Sequence, residues 1–377
     1  MNRCACLLAI TAIALLAASL GTAAGTHCVT NTSTLQTALA AEASIASGTS
    51  TLRFASGTIS NELVLTQSVP GTMRTVVIDG GWNASCTARV TGGRTTIPRI
   101  ALRASYPNSL QSAQVTVQGM RVGDLELYTA IAGSRTLRDN HITPGAGDLA
   151  IVGTPLVVER NQVFGGQLYF DTVAGTGDLR ITNNELRDVA RLRIAAASQG
   201  TVLFRNNTVL LRNLDGMTNL GVGYNIVETL TNSGTSTVDI SNNLIGRSVT
   251  YDVFTNASVS VSVANLDGSA PASGVVRFLG NMLQTIGNGV ALGSPNIEAA
   301  LGSPAHRNIV FSSALPFDAR PQAPYLVPDA GFAGINQGVA TTLADDSTDL
   351  RGRARHVGAA VDVGAHESDV LFASGME

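Results

Sequence analysis

Lysine is absent: all 24 basic residues are arginine, against 27 acidic ones, for a net charge of −3. No basic patch recurs along the chain, which argues against a nucleic-acid partner. Charged residues make up only 14% of the chain, well below the ~25% usual for soluble proteins. Aromatic residues are 5%, so the stacking platforms typical of sugar clefts are scarce. The four cysteines lack partnered histidines and make a poor zinc site. Outside the N-terminus no apolar run is long enough to cross a bilayer. What remains is rich in glycine, with 39 of 377 residues, and in Ser, Thr and Asn, a composition of short strands joined by many turns.

The first residues, MNRCACLLAITAIALLAASLGTAAGTHC, carry Arg3, an apolar stretch from Leu7 to Leu20, and a small-residue step at Thr22-Ala23-Ala24. This is the pattern of a cleaved secretory signal peptide over residues 1–24, and it predicts a secreted, extracellular or cell-surface protein with no membrane-spanning segment after cleavage. Cleavage removes Cys4 and Cys6. Cys28 and Cys86 remain, and in an oxidising compartment an even pair predicts a disulfide.

Six segments share the pattern apolar-x-apolar-x-x-Asn-x-apolar: LVVERNQV, LRITNNEL, VLFRNNTV, LGVGYNIV, VDISNNLI and VRFLGNML. Their asparagines are Asn161, Asn184, Asn207, Asn225, Asn243 and Asn281; Asn140 in RTLRDNHI fits but for its first position, and Met120 stands at the same place in VTVQGMRV. Spacings from Met120 are 20, 21, 23, 23, 18, 18 and 38, the last read as two units. Periods near 20 residues indicate a solenoid. Alternating apolar positions, Val202 and Phe204 among them, indicate strands with one buried face. The absence of a leucine consensus and of helical segments points to an all-β parallel β-helix of about ten or more coils. In this reading the asparagines turn the corner in a left-handed or bridging conformation and bond from coil to coil as a structural ladder.

Both ends of such a rod need caps. NTSTLQTALAAEAS predicts a capping helix with Ser33 or Thr34 as N-cap and Leu35, Ala38, Leu39 and Ala43 on its apolar face. The organisation is then an N-terminal cap over 25–50, a β-helix over 51–312, and an irregular C-terminal cap over 313–377 that ends in a tag-like DVLFASGME. The C-terminal STDLRGRARHVGAAVDVGAHE supplies Asp349, Gly352, Arg355, Asp362, Gly364, Ala365 and Glu367. With the opening C…TLQTAL…TLRFASGTI…IDGGWNASC, it resembles secreted parallel β-helix repeat proteins of the choice-of-anchor Q type, related to polymorphic outer-membrane proteins. The resemblance covers nearly the whole mature chain and implies that the β-helix is right-handed and that the protein is secreted. Asp349, Gly352 and Asp362 read as turn formers and Arg355 as the partner of a carboxylate. Asp345, Asp346 and Asp349 are the residues left for a calcium ion, but their spacing lacks the alternating oxygen ligands of a calcium loop.

Parallel β-helices also include polysaccharide lyases and glycoside hydrolases. Lysine is unavailable as a base, which leaves arginine. LRDVARLRI puts Asp188, Arg191 and Arg193 on one coil, with Asp171 and Asp178 on the coil before, and Asp171 with Asp188 would be the acid pair, for which hydrolysis needs a separation of ~5–9 Å. Scattered Asp and Arg on an exposed face otherwise read as solvated ion pairs. His27, His141, His306, His356 and His366 are far apart in sequence and read as surface or cap residues. The sequence therefore predicts a binding scaffold for a polysaccharide, envelope component or protein partner, with a carbohydrate-active enzyme as the alternative. It carries no signal for oligomeric state or for any cofactor beyond calcium.

Overall fold

The computed structural model describes residues 25–367 except 68–73, 105–112, 128–132, 145–148, 154, 173–177, 190, 197–200, 212–224, 232–236, 248–259, 266–275, 285–290, 293–302, 312–325, 327–331, 340–346 and 356–359. The signal-peptide segment and the terminal tag lie outside the described residues.

Among the described residues there are three sheets, of 10, 11 and 6 strands, the third starting only at Leu149, and successive coils supply neighbouring strands. One coil shows the plan. Leu156–Glu159 lies in the first sheet, Gln162–Phe164 in the second and Gln167–Thr172 in the third, and the next coil begins at Leu179. Each pairs in parallel with its counterpart one coil on: Leu156 with Leu179, Gln162 with Glu185, Gln167 with Arg191. This is a parallel β-helix, and the ten strands of the first sheet make ten coils.

Alternation along each strand sends every second side chain inward. In the first sheet the inward column is Leu52, Ile78, Val117, Leu137, Val158, Ile181, Phe204, Ile240 and Phe278, all at most 2% exposed. Each such burial contributes roughly 1.5–3 kcal/mol, so the column is the main reason the coils keep register.

The 36 residues from Asn207 to Asn243 and the 38 from Asn243 to Asn281 are single long coils, not pairs of short ones. Each carries one third-sheet strand, Asn225–Thr231 or Ser260–Asn265, as the shorter coils carry Gln167–Thr172 and Arg191–Ala196. Repeat spacing alone misleads here, because a coil tolerates insertion at a corner without loss of register in the first two sheets.

The N-terminal helix spans Thr32–Ala43 and starts earlier than expected: Asn31 is the N-cap, its side chain accepting from the Thr34 N–H while Thr34 Oγ1 accepts from the Asn31 N–H. Leu35 and Ala38 are buried against the core, and so is Glu42, which is ion-paired with Arg74 and lies 3.0 Å from His27. The strand Thr26–Val29 before the helix already belongs to the first sheet, pairing with Thr51–Phe54, so the first coil begins inside the segment read as cap. Cys28 and Cys86 form a disulfide, with Cα atoms 5.6 Å apart, that ties this strand to the turn after Arg74–Trp82. Among the described residues no helix is long and apolar enough to cross a membrane.

Candidate functional site on the flank of the second sheet

The corner between the first and second sheets carries the asparagine row. Asn140, Asn161, Asn184, Asn207, Asn243 and Asn281 are fully buried. From Asn161 on, each Oδ1 accepts two bonds from the preceding coil; Asn207 Oδ1 takes the Asn184 N–H at 3.0 Å and Asn184 Nδ2 at 3.1 Å. Each Nδ2 donates both ways; that of Asn207 reaches the Ile181 carbonyl at 2.9 Å and Asn243 Oδ1 at 3.0 Å. The row begins at Met120, whose N–H donates to Asn140 Oδ1 at 3.1 Å. It ends at Asn308, which accepts from the Asn281 N–H at 2.9 Å. The sequence pattern missed Asn308 because the apolar positions before it are replaced by a 3₁₀ turn, Pro304–His306.

Two expectations are corrected here. Asn225 is not in the row: it opens the third-sheet strand Asn225–Thr231, opposite Ser260. Its match to the pattern arises because any strand entry in this fold has alternating apolar residues. Nor do the ladder asparagines take the left-handed conformation. That falls to the residue before each: Asp139, Arg160, Asn183, Asn206, Asn242 and Arg307 have φ of 52–59°, with Gly119 and Gly280 in the same role. Asn and Asp tolerate this region best among non-glycine residues, which accounts for the Asn-Asn pairs at three of these corners.

The residue after each ladder position points outward on the flank of the second sheet. The register reads Arg121, His141, Gln162, Glu185, Thr208, Leu244, Met282, Ile309. From Glu185 onward this column is covered by residues of the C-terminal segment, which reaches back along the flank. Leu326 and Val363 form an apolar cluster with Leu210, Leu244 and Met282, and Phe332 packs against it. The Ala365 N–H donates to Thr208 Oγ1 at 3.0 Å, the Gly364 N–H to the Asn242 carbonyl at 2.8 Å, and the Val339 N–H to Asn242 Oδ1 at 2.8 Å.

At the far end of this belt sits a buried ionic group. Glu185 Oε2 accepts from His366 Nε2 at 2.7 Å and from the Leu326 N–H at 2.9 Å, and Arg187 pairs with its other oxygen. Burial alone pushes the Glu185 carboxyl up, but the bond and charge of His366, the Arg187 guanidinium and the Leu326 N–H outweigh it and hold the group below its ordinary range. His366 is therefore a buried clamp, not a surface residue. Sequence gave no sign of the pairing, since 181 residues separate the partners.

The family-like C-terminal residues close the belt on itself. Asp349 Oδ1 accepts the Arg351 and Arg353 N–H groups, both at 2.8 Å, and Oδ2 accepts the Glu367 N–H at 3.1 Å and Arg351 Nε at 3.2 Å. Four protein donors, one of them cationic, occupy this carboxylate and leave it no lone pair for calcium. Asp362 caps the Asn336 N–H at 2.7 Å, and buried Arg355 lies 3.7 Å from Glu367 and donates to the Gly364 carbonyl. Asp345, Asp346 and His356 lie outside the described residues. Among the described residues no three His, Cys, Asp or Glu side chains gather as a metal would require.

The candidate acid pair is divided between sheets. Asp171 lies in the third sheet opposite Ala195, on a strand where Gln167 and Tyr169 face Arg191 and Arg193 in register. Asp188 belongs to the second-sheet strand Glu185–Val189, at a bulge where the pairing shifts between Leu186 and Val189, and it adopts φ 52°. Its place is that of an extra residue re-aiming a strand. Asp178 Oδ1 accepts the Thr201 N–H at 2.9 Å and so links two coils.

Beyond the belt, among the described residues, Arg121 is exposed, His141 is half-buried and Gln162 is buried. His141 stacks on Phe164 with ring centroids 4.6 Å apart and planes at 16°, and the Arg187 guanidinium lies 4.8 Å from the Phe164 centroid. Burial, then the charges of Arg121, Arg94 and Arg187, push the His141 imidazole down to about 4, so it is neutral at physiological pH. Arg121 is exposed and makes no ion pair among the described residues.

Comparison with protein-family models, curated proteins and solved structures finds no match to this chain.

Proposed function

We propose that this is a secreted or cell-surface β-helix protein of the choice-of-anchor Q type, related to polymorphic outer-membrane proteins, and that it serves as a non-catalytic binding scaffold for a glycan or envelope component. The observation that carries the reading is the divided flank of the second sheet. Described residues of the C-terminal segment cover its column from Glu185 to Ile309, whereas Arg121 is exposed and the stacked pair His141 and Phe164 is half-buried. The disulfide supports an oxidising destination. The sheet-to-sheet separation of Asp171 from Asp188 weighs against a hydrolytic acid pair.

The test is incubation of the purified protein with acidic and neutral polysaccharides, with and without calcium. Retention without release of reducing or unsaturated ends is the expected outcome. Release of either, abolished by Arg193→Gln, would replace the scaffold with a lyase or hydrolase working on the third sheet.

A further inference from the structure

Arg193 is half-buried on the third sheet and has no partner among the described residues; its Nε is buried without an acceptor. Leu192 and Ile194 on either side of it are fully buried in the core, so Arg193 faces outward. Other half-buried arginines are engaged. Arg53 donates to the Cys86 carbonyl at 3.1 Å, Arg138 to Gln118 Oε1 at 2.6 Å and Arg160 to Asp139 Oδ1 at 2.9 Å. A guanidinium partly withdrawn from water and left unpaired costs free energy, which an acceptor from outside the chain would offset.

The surroundings say what that acceptor carries. One coil before, the register partner of Arg193 is Tyr169, also half-buried, and Gln167 stands opposite Arg191. Tyr169 Oη donates to Gln167 Oε1 at 2.8 Å, so the hydroxyl is spent on its own strand. The next position of the column after Arg193 is Glu228, which makes the cationic step a single coil deep. Gly165 and Gly166, at φ 84° and 79°, turn the chain between Phe164 and Gln167, so the step lies round one corner from the His141–Phe164 stack.

We propose that Tyr169 and Arg193 bind a uronate residue of an acidic polysaccharide, its carboxylate on the guanidinium and its ring against the phenol. Adjacent coils lie about 4.8 Å apart, so a pyranose ring beside one side chain brings its carboxylate within reach of the other. The planar donors of a guanidinium match the two oxygens of a carboxylate. An aromatic face contributes apolar area to a sugar ring with little loss of side-chain freedom. A neutral glycan leaves Arg193 unpaired. The proposal rests on the scaffold reading above and gives it a face and a ligand class.

Affinity electrophoresis of the full mature chain through gels containing polygalacturonate, dextran or dextran sulfate tests it. Polygalacturonate should retard the wild type and dextran should not. Arg193→Gln should weaken retardation about tenfold, the worth of one charge-assisted hydrogen bond. This variant should melt with the wild type, because Arg193 makes no bond within the fold. Tyr169→Ala should weaken retardation as well and decides the matter if Arg193→Gln is poorly folded. Arg121→Gln, the same loss of charge at an exposed position on the second sheet, should leave retardation unchanged. Retardation by polygalacturonate that Arg193→Gln and Tyr169→Ala leave intact, or that Arg121→Gln weakens equally, would overturn the site while the scaffold reading stands. Retardation by no polysaccharide would overturn both. Equal retardation by dextran sulfate, lost in Arg193→Gln, would overturn the uronate as ligand.

Discussion

Replacing Asn207 by alanine removes four hydrogen bonds from the middle of the asparagine row. Their loss is uneven. The Asn184 N–H, fully buried, is left with no acceptor; Asn184 Nδ2 keeps the Val158 and Thr182 carbonyls at 2.9 and 3.0 Å, and Asn243 Oδ1 keeps the Asn207 N–H at 3.0 Å. One orphaned buried donor costs ~1–3 kcal/mol, and the weaker bonds and the small void add on the order of 1 kcal/mol more. The expected penalty is therefore about 3 kcal/mol, a large fraction of the ~5–15 kcal/mol that stabilises a typical domain. Urea titration followed by circular dichroism measures it as a shift in midpoint, provided the slope is unchanged. Asn207→Asp should cost more at pH 7, since a carboxylate oxygen would face the Ile181 carbonyl and Asn243 Oδ1, and its excess should shrink as the group protonates. Asn61→Ala, at an exposed position outside the row, is the internal control and should cost well under ~1 kcal/mol. A penalty below ~1 kcal/mol for Asn207→Ala, or an equal one for Asn61→Ala, would refute the reasoning.

Glu185→Gln breaks the buried clamp and should cost about 3 kcal/mol, read as faster proteolysis between residues 326 and 367. Because the native carboxyl is held below its unfolded value, its stabilisation is complete above about pH 4.3 and is lost as the pH falls through the native value; the variant should lack that acid-side loss. Gly364→Ala puts a Cβ 2.8 Å from Thr208 Oγ1 at φ 104° and should loosen the belt by roughly 1–3 kcal/mol, whereas Gly352→Ala, with open space around it at φ 76°, should cost only the ~1 kcal/mol of backbone strain. Replacing Cys28 and Cys86 by serine opens a link across 58 residues and should lower stability by about 4 kcal/mol, measured by thermal unfolding.

The rod was legible because its code is local. Apolar alternation and an asparagine at each corner recur every coil, and one register repeats them. The ladder's errors were local too: Asn225 copies the pattern in the wrong sheet, and Asn308 stands in the right place without it. The flank was harder, yet a trace of it is present in the sequence. The residue after each ladder position changes from Arg121, His141, Gln162, Glu185 and Thr208 to Leu244, Met282 and Ile309, and the apolar part is where Leu326, Phe332 and Val363 pack. What lies on that covered face depends on contacts such as Glu185–His366 and Thr208–Ala365, more than 150 residues apart, for which no periodicity exists. The candidate acids show the same limit of spacing: Asp171 and Asp188 are 17 residues apart, yet the first-sheet strand Leu179–Thr182 lies between them and they belong to different sheets.

Hydrogen exchange of the asparagine side-chain amides, followed by NMR with residue-selective labelling, probes the row directly. Nδ2 protons of Asn161, Asn184, Asn207, Asn243 and Asn281 donate inside the stack and should exchange only on unfolding of the coils, thousands of times more slowly than a free amide. Rapid exchange at these five positions, at rates matching that of exposed Asn61, would mean that the coils are not joined through them.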